Sequence, residues 1–91
     1  SRIVAIFHGA AGYMLLDDAA YNRVRNWQGG NPYKAQIAAL VKEGVAIEEC
    51  GQTMHNNGWR NDELLPGVKV NSGANFRIVQ LVQDGYVQIQ P

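Results

Sequence analysis

The stretch Val45-Ala46-Ile47-Glu48-Glu49-Cys50-Gly51-Gln52-Thr53 opens on β-branched, apolar residues and closes on small ones that allow a helix to begin. The first half suits a strand. A strand that hands directly over to a helix is the unit from which parallel sheets are built. Cys50, the only cysteine in the chain, falls at that handover. A thiol there faces the unpaired N–H groups of the first helical turn, which favour the thiolate. Cys50 is therefore a candidate nucleophile or sulfur carrier. The competing reading is an inert, packed cysteine.

The same alternation extends in both directions. Arg2 to Phe7 is a short apolar run that predicts a strand buried on both faces. It ends at His8-Gly9, and Gly12 to Leu16 follows as a helical turn. Asp17-Asp18 caps a second helical piece with Ala20, Val24 and Trp27 on one face, and Gln28-Gly29-Gly30-Asn31 breaks it. Asn31 as N-cap, Pro32 at the first helical position and the stripe Ile37, Leu40 and Val41 mark the next helix, which Gly44 stops.

Downstream of the cysteine, Gly51 to about Asn57 predicts a short helix. Asn61-Asp62-Glu63 caps one more turn before Pro66-Gly67, and Val68 to Val70 is a brief strand. Asn71 or Ser72 caps a last helix carrying Ile78, Leu81 and Val82. Gly85 ends it, and Tyr86 to Ile89 reads as a final strand. Strands separated by helices of this length predict right-handed crossovers, a parallel sheet and helices on both faces.

Composition narrows the function. Ninety-one residues make one domain, spanning 1–91, near the lower size limit for a self-sufficient core. Eight basic residues balance eight acidic ones without blocks of either sign, so neither nucleic acid nor an anionic membrane is an expected partner. No apolar run approaches the roughly 18 residues of a membrane span. The sequence shows neither a metal-ligand cluster nor a cofactor motif: Gly9-Ala10-Ala11-Gly12 lacks the spacing of a phosphate loop, and His55 finds no further zinc ligands near Cys50. One unpaired cysteine fits the cytoplasm, and equally a periplasmic protein whose signal peptide has been removed.

In open parallel sheets ligands bind beyond the carboxyl ends of the strands. That rule gathers His8, Gly9, Cys50, Gly51, Gln52, Thr53, Asn71 and Ser72 on one rim. His8 then pairs with the thiolate or exchanges a proton with it, or simply caps its strand end. Gly51 and Gln52 offer N–H groups to an anion. The adjacent acids Asp17-Asp18 and Glu48-Glu49 point apart and form no acid/base dyad. Trp27 and Trp59 suit subunit contacts or core packing alike.

The run after His8-Gly9, the block Gly44 to Thr53, the block Asp62-Glu63-Leu64-Leu65-Pro66-Gly67-Val68-Lys69-Val70 and the late Gln83-Asp84-Gly85-Tyr86 together resemble the DsrE/DsrF-like (YchN-like) sulfur-relay family. The resemblance implies a three-layer α/β/α fold with a parallel sheet, assembly into homotrimers or homohexamers, and sulfur carriage as a persulfide on Cys50, with sulfur donor and acceptor proteins as partners. It matches His8 to a His-Gly of the small members. Where related members have a second cysteine, this chain has Thr53, so no Cys-x-x-Cys dithiol forms within one chain. The resemblance also implies a strand and helix ahead of Arg2, absent from these residues. An interior strand at Arg2 to Phe7 would then pair with residues outside this numbering or be covered by a neighbouring subunit.

Two functions follow. One is a sulfur carrier, in which Gly51 leaves room for a partner's cysteine. The other is a non-catalytic oligomeric module in which Cys50 is structural and the rim binds a small ligand or a protein. A Cys/His hydrolase ranks below both, for want of an orienting acid.

Overall fold

A computed structural model describes residues 2–89. Its parallel sheet has the order β1-β2-β3, with β1 at Val4–Phe7, β2 at Ala46–Cys50 and β3 at Lys69–Asn71. Between β1 and β2 lie a 3-10 helix at Gly9–Leu15, α1 at Asp18–Arg25 and α2 at Lys34–Lys42. Helix α3 at Gly51–Asn57 and a short 3-10 turn at Asn61–Glu63 lead to β3, and α4 at Ala74–Gln83 follows it.

Alternation along β2 divides the molecule into layers. Ile47 points into a cluster with Leu15, Ile37 and Leu65, which Ala5, Phe7 and Val41 extend. Glu48 points the opposite way and is gripped by Arg77 of α4, whose Nε lies 3.0 Å from Oε1 and Nη2 3.0 Å from Oε2. Asn71 Nδ2 donates to the same carboxylate at 3.1 Å. The sheet thus has α2 and the 3-10 helix on one face and α4 on the other, the three-layer α/β/α arrangement implied by the sequence.

The ends of the elements follow local chemistry. The Asp17 carboxylate accepts the Ala20 N–H at 2.9 Å and starts α1. Asn31 does not cap α2 directly. Its Oδ1 accepts the Tyr33 N–H at 2.8 Å, and its buried Nδ2 donates to the carbonyls of Met14 and Leu16 at 2.9 and 2.6 Å. It therefore joins the loop to the 3-10 helix, and α2 begins two residues beyond Pro32.

Among the described residues β2 pairs with the half-buried Val4–Phe7 on one side and with β3 on the other. Three expectations need correction. Val24 and Trp27 are exposed, and α1 packs through Ala20 and Tyr21 instead. Leu40 and Val82 lie at partly exposed positions of their helices, where Ile37 and Leu81 provide the contact. Tyr86 to Ile89 forms no strand: the Tyr86 N–H returns to the Leu81 carbonyl at 2.9 Å, and among the described residues no strand pairs with the rest.

Candidate functional site

Cys50 is the last residue of β2 and also the N-cap of α3. Its Sγ points to the α4 face of the sheet, where the Ala74 N–H reaches it at 3.3 Å. The donor is the first residue of α4, so two helices begin against one sulfur. Gly51 permits this. A Cβ at Gly51 would collide with the backbone carbonyl of Asn71, so only glycine allows β3 to run so close to the start of α3.

Thr53 completes the shell. Its Oγ1 accepts the Gly9 N–H at 3.0 Å. That contact occupies a lone pair and leaves the hydroxyl proton free to donate to the sulfur. Burial pushes the Cys50 thiol up, but the Thr53 hydroxyl and the backbone N–H groups of Thr53, Ala74 and Gln52 outweigh it, and the thiol lies below its ordinary value.

The sulfur sits at the base of an open hollow of about 400 Å³. The residues expected at the rim divide into two sets. His8, Gly9, Gln52, Thr53 and Ser72 line the hollow with Cys50. Gly51 and Asn71 do not: the former is sealed by the Asn71 carbonyl, and the latter turns its side chain to Glu48 and to the Gly73 N–H. His8 is exposed at the mouth, and no hydrogen bond joins it to the sulfur. Gly73, Ala74, Asn75 and Phe76 complete the wall. Sequence reasoning missed these four because it placed the last helix cap at Asn71 or Ser72. The signal was Gly73, a break just ahead of the apolar run.

Sequence reasoning also passed over Glu49. It is fully buried, and neither carboxyl oxygen has a hydrogen-bond partner. Burial pushes it up to about 8, so it is mainly a neutral acid at neutral pH. Glu63, also buried, shows the contrast. Its carboxylate accepts the Arg60 N–H at 2.9 Å and the Arg23 guanidinium at 2.6 Å, and these hold it below the usual carboxylate range.

Among the described residues no group of three or more acidic, His or Cys side chains could hold a metal ion. None of their helices is long and apolar enough to cross a membrane.

The model of the DsrE/DsrF-like family matches residues 1–91, the whole of the sequence. The chain belongs to the DsrE/DsrF-like family. Its fold is similar to that of a solved structure, the protein of unknown function MTH1491 from Methanobacterium thermoautotrophicum, with a TM-score of 0.82 and 26% sequence identity over 99% of this chain and 70% of that one. No curated protein matches. Membership of the DsrE/DsrF-like family agrees with the blocks around His8, Cys50 and Pro66 that carry the resemblance in the sequence.

Proposed function

We propose that this DsrE/DsrF-like chain carries sulfane sulfur as a persulfide on Cys50. The observation that carries the reading is the placing of the sulfur: Cys50 lines an open hollow at the strand–helix handover, and the Ala74 N–H at 3.3 Å, with the Thr53 hydroxyl nearby, favours its thiolate. In the loading step the Cys50 thiolate attacks the outer sulfur of a donor persulfide, R–S–SH. The donor S–S bond breaks, a new S–S bond forms to Cys50, R–S⁻ leaves, and the proton stays on the transferred sulfur. An acceptor thiolate reverses these events, leaving R′–S–SH and the Cys50 thiolate. No net oxidation occurs.

The donor set serves both halves of the cycle. It stabilises the attacking thiolate on loading and the same thiolate as leaving group on unloading. Thr53 cannot form a disulfide with Cys50, so the persulfide is not discharged within the chain. His8 stands at the mouth, where it can meet the incoming partner. A lone free thiol suits a reducing compartment such as the cytoplasm. Self-association into a trimer or its multiple belongs to the same reading.

Intact mass after incubation with a polysulfide tests it. We expect the wild type to gain one reducible sulfur and Cys50→Ser to gain none. An unmodified wild type with a demonstrably free thiol would exclude the carrier.

A second reading has its own support. Cys50 is 4% exposed and its sulfur caps the first N–H of α4, as a structural cysteine would. Iodoacetamide separates the two: a carrier thiol is alkylated in the folded protein well below the pH needed for a free cysteine, and a structural one only on unfolding.

A further inference from the structure

Glu49 lies one residue from the candidate nucleophile on the opposite face of β2, and its surroundings bind it to the same residue that serves the sulfur. A Cβ placed at Gly12 would stand 2.9 Å from Glu49 Oε1 and 2.9 Å from Thr53 Cγ2, with the Trp59 ring at 3.4 Å. The carboxyl and the Thr53 methyl therefore share one tight space against the 3-10 helix. Thr53 turns its methyl to that space and its hydroxyl to the Gly9 N–H, and it lines the hollow together with Cys50. Both carboxyl oxygens are unpartnered in a fully buried side chain. A group in that position serves stability poorly, since an apolar residue of similar size would cost nothing to bury.

We propose that Glu49 is a positioning residue for Cys50: its buried, unpartnered carboxyl packs beside the methyl of Thr53 and so fixes that residue in the wall of the hollow next to the sulfur, and its charge and that of the thiolate oppose each other across the strand. The inference rests on the reading of Cys50 as a reactive thiol, but not on which sulfur compound it meets.

The neighbours leave Cys50 as the group to which Glu49 responds. Phe7 and Val70 flank it across the sheet and carry no charge. On the 3-10 helix, Tyr13 packs on Tyr21 and lies under the Arg25 guanidinium. On α3, His55 is exposed, and beside Trp59 the exposed Arg60 pairs with Asp62. Burial is the first cause of the raised Glu49 value, and charge on Cys50 adds to it. The Cys50 N–H works the other way without making a hydrogen bond to the carboxyl.

Two interacting sites titrate as a pair, and each must shift the other equally. The pH profile of Cys50 alkylation in the wild type is then broader than a one-proton curve, with its alkaline part delayed. Glu49→Gln, which copies the neutral acid, should give a single one-proton curve whose midpoint is lower by about half a unit or more. Reciprocally, infrared spectroscopy should show a buried carboxylic acid band that Glu49→Gln lacks. Its titration midpoint should fall by a similar amount when Cys50 is alkylated or replaced in Cys50→Ser. The alkylated wild type supplies this readout even if Glu49→Gln does not fold. Identical alkylation profiles in wild type and Glu49→Gln, or an acid band that titrates identically with and without the thiol, would overturn the proposal. Sulfur loading is scored separately by mass: a Glu49→Gln protein that gains one sulfur but keeps the wild-type profile refutes Glu49 alone. A wild type that gains none, with the reciprocal shifts present, refutes the carrier alone.

Discussion

Thr53 and Glu49 show how much of a thiol's chemistry lies outside the thiol. Thr53 has one proton to give, and the Gly9 N–H takes a lone pair, which leaves that proton free for Cys50. Removing it in Thr53→Val raises the thiol's value and, at the strength of a charge-assisted hydrogen bond, should slow alkylation at neutral pH roughly tenfold or more. Thr53→Ser should recover most of the rate; equal rates in wild type and Thr53→Val would remove the hydroxyl from the account. Glu49 makes a prediction about stability. Burial lifts it from 4.5 to about 8 in the folded state, so the native protein holds a proton that the unfolded chain releases within that window. The corresponding stability is fully present below 4.5 and is lost as pH rises through about 8. At about 1.4 kcal/mol per pH unit, that span is worth roughly 5 kcal/mol. The melting temperature of the wild type should therefore fall relative to Glu49→Gln across this range. Parallel curves would show that Glu49 titrates normally. Cys50 was legible in the sequence from the strand–helix handover. Glu49 was legible only by its alternation with Cys50, which turns one of the two acids at 48 and 49 toward each buried face. What no pattern showed was that Glu48 would find Arg77 and Glu49 would find nothing.

At the scale of elements, the handover from β2 to α3 depends on Gly51, whose missing side chain leaves space for the Asn71 carbonyl. Gly51→Ala must push β3 from β2 or α3 from its start. It should cost about 2 kcal/mol or more in chemical denaturation and loosen the Ala74 N–H from the sulfur, raising the thiol's value as well. A variant with unchanged stability and unchanged thiol titration would mean that the close approach is dispensable. The same neighbourhood marks what sequence resolves. The β2–α3 boundary was readable because one residue type changes to another within a few positions, and Gly44 and Gly58 stop helices where their positive φ values of 93° and 69° require. The start of α4 shifted to Gly73 because Asn71 spends its side chain on Glu48 and the Gly73 N–H instead of capping a helix. Tyr86 to Ile89 has the composition of a strand, but a strand exists only beside another edge. Pairing is a property of the sheet, not of four residues.

Over the whole molecule, the surface is larger than the mass requires. The chain exposes 6224 Å², against about 5,200 Å² for a compact monomer of 10.0 kDa. Much of the apolar part lies on α4 and around it. Phe76 is 65% exposed, Val79 55% and Val82 49%, and Ile3, Val87 and Ile89 are open as well. One face of α4 holds the sheet through Arg77, Ala74 and Leu81, while the other presents a row of valines and a phenylalanine to solvent. Exposed apolar rows of this kind mark association surfaces. A second copy of this chain is the occupant we expect, in keeping with the self-association proposed above. Phe76 also lines the hollow over Cys50, so a neighbouring protomer on α4 would border the site. Sedimentation at micromolar concentration should show a trimer or its multiple. Val79→Lys, which places a charge in the row without touching the hollow, should shift the protein toward monomer. A wild type that sediments as a stable monomer would contradict the assembly, and an oligomer indifferent to Val79→Lys would move the interface away from α4. If the dissociated variant still loads sulfur on Cys50, the site is complete within one chain; if it folds but no longer loads, the adjoining protomer supplies part of it.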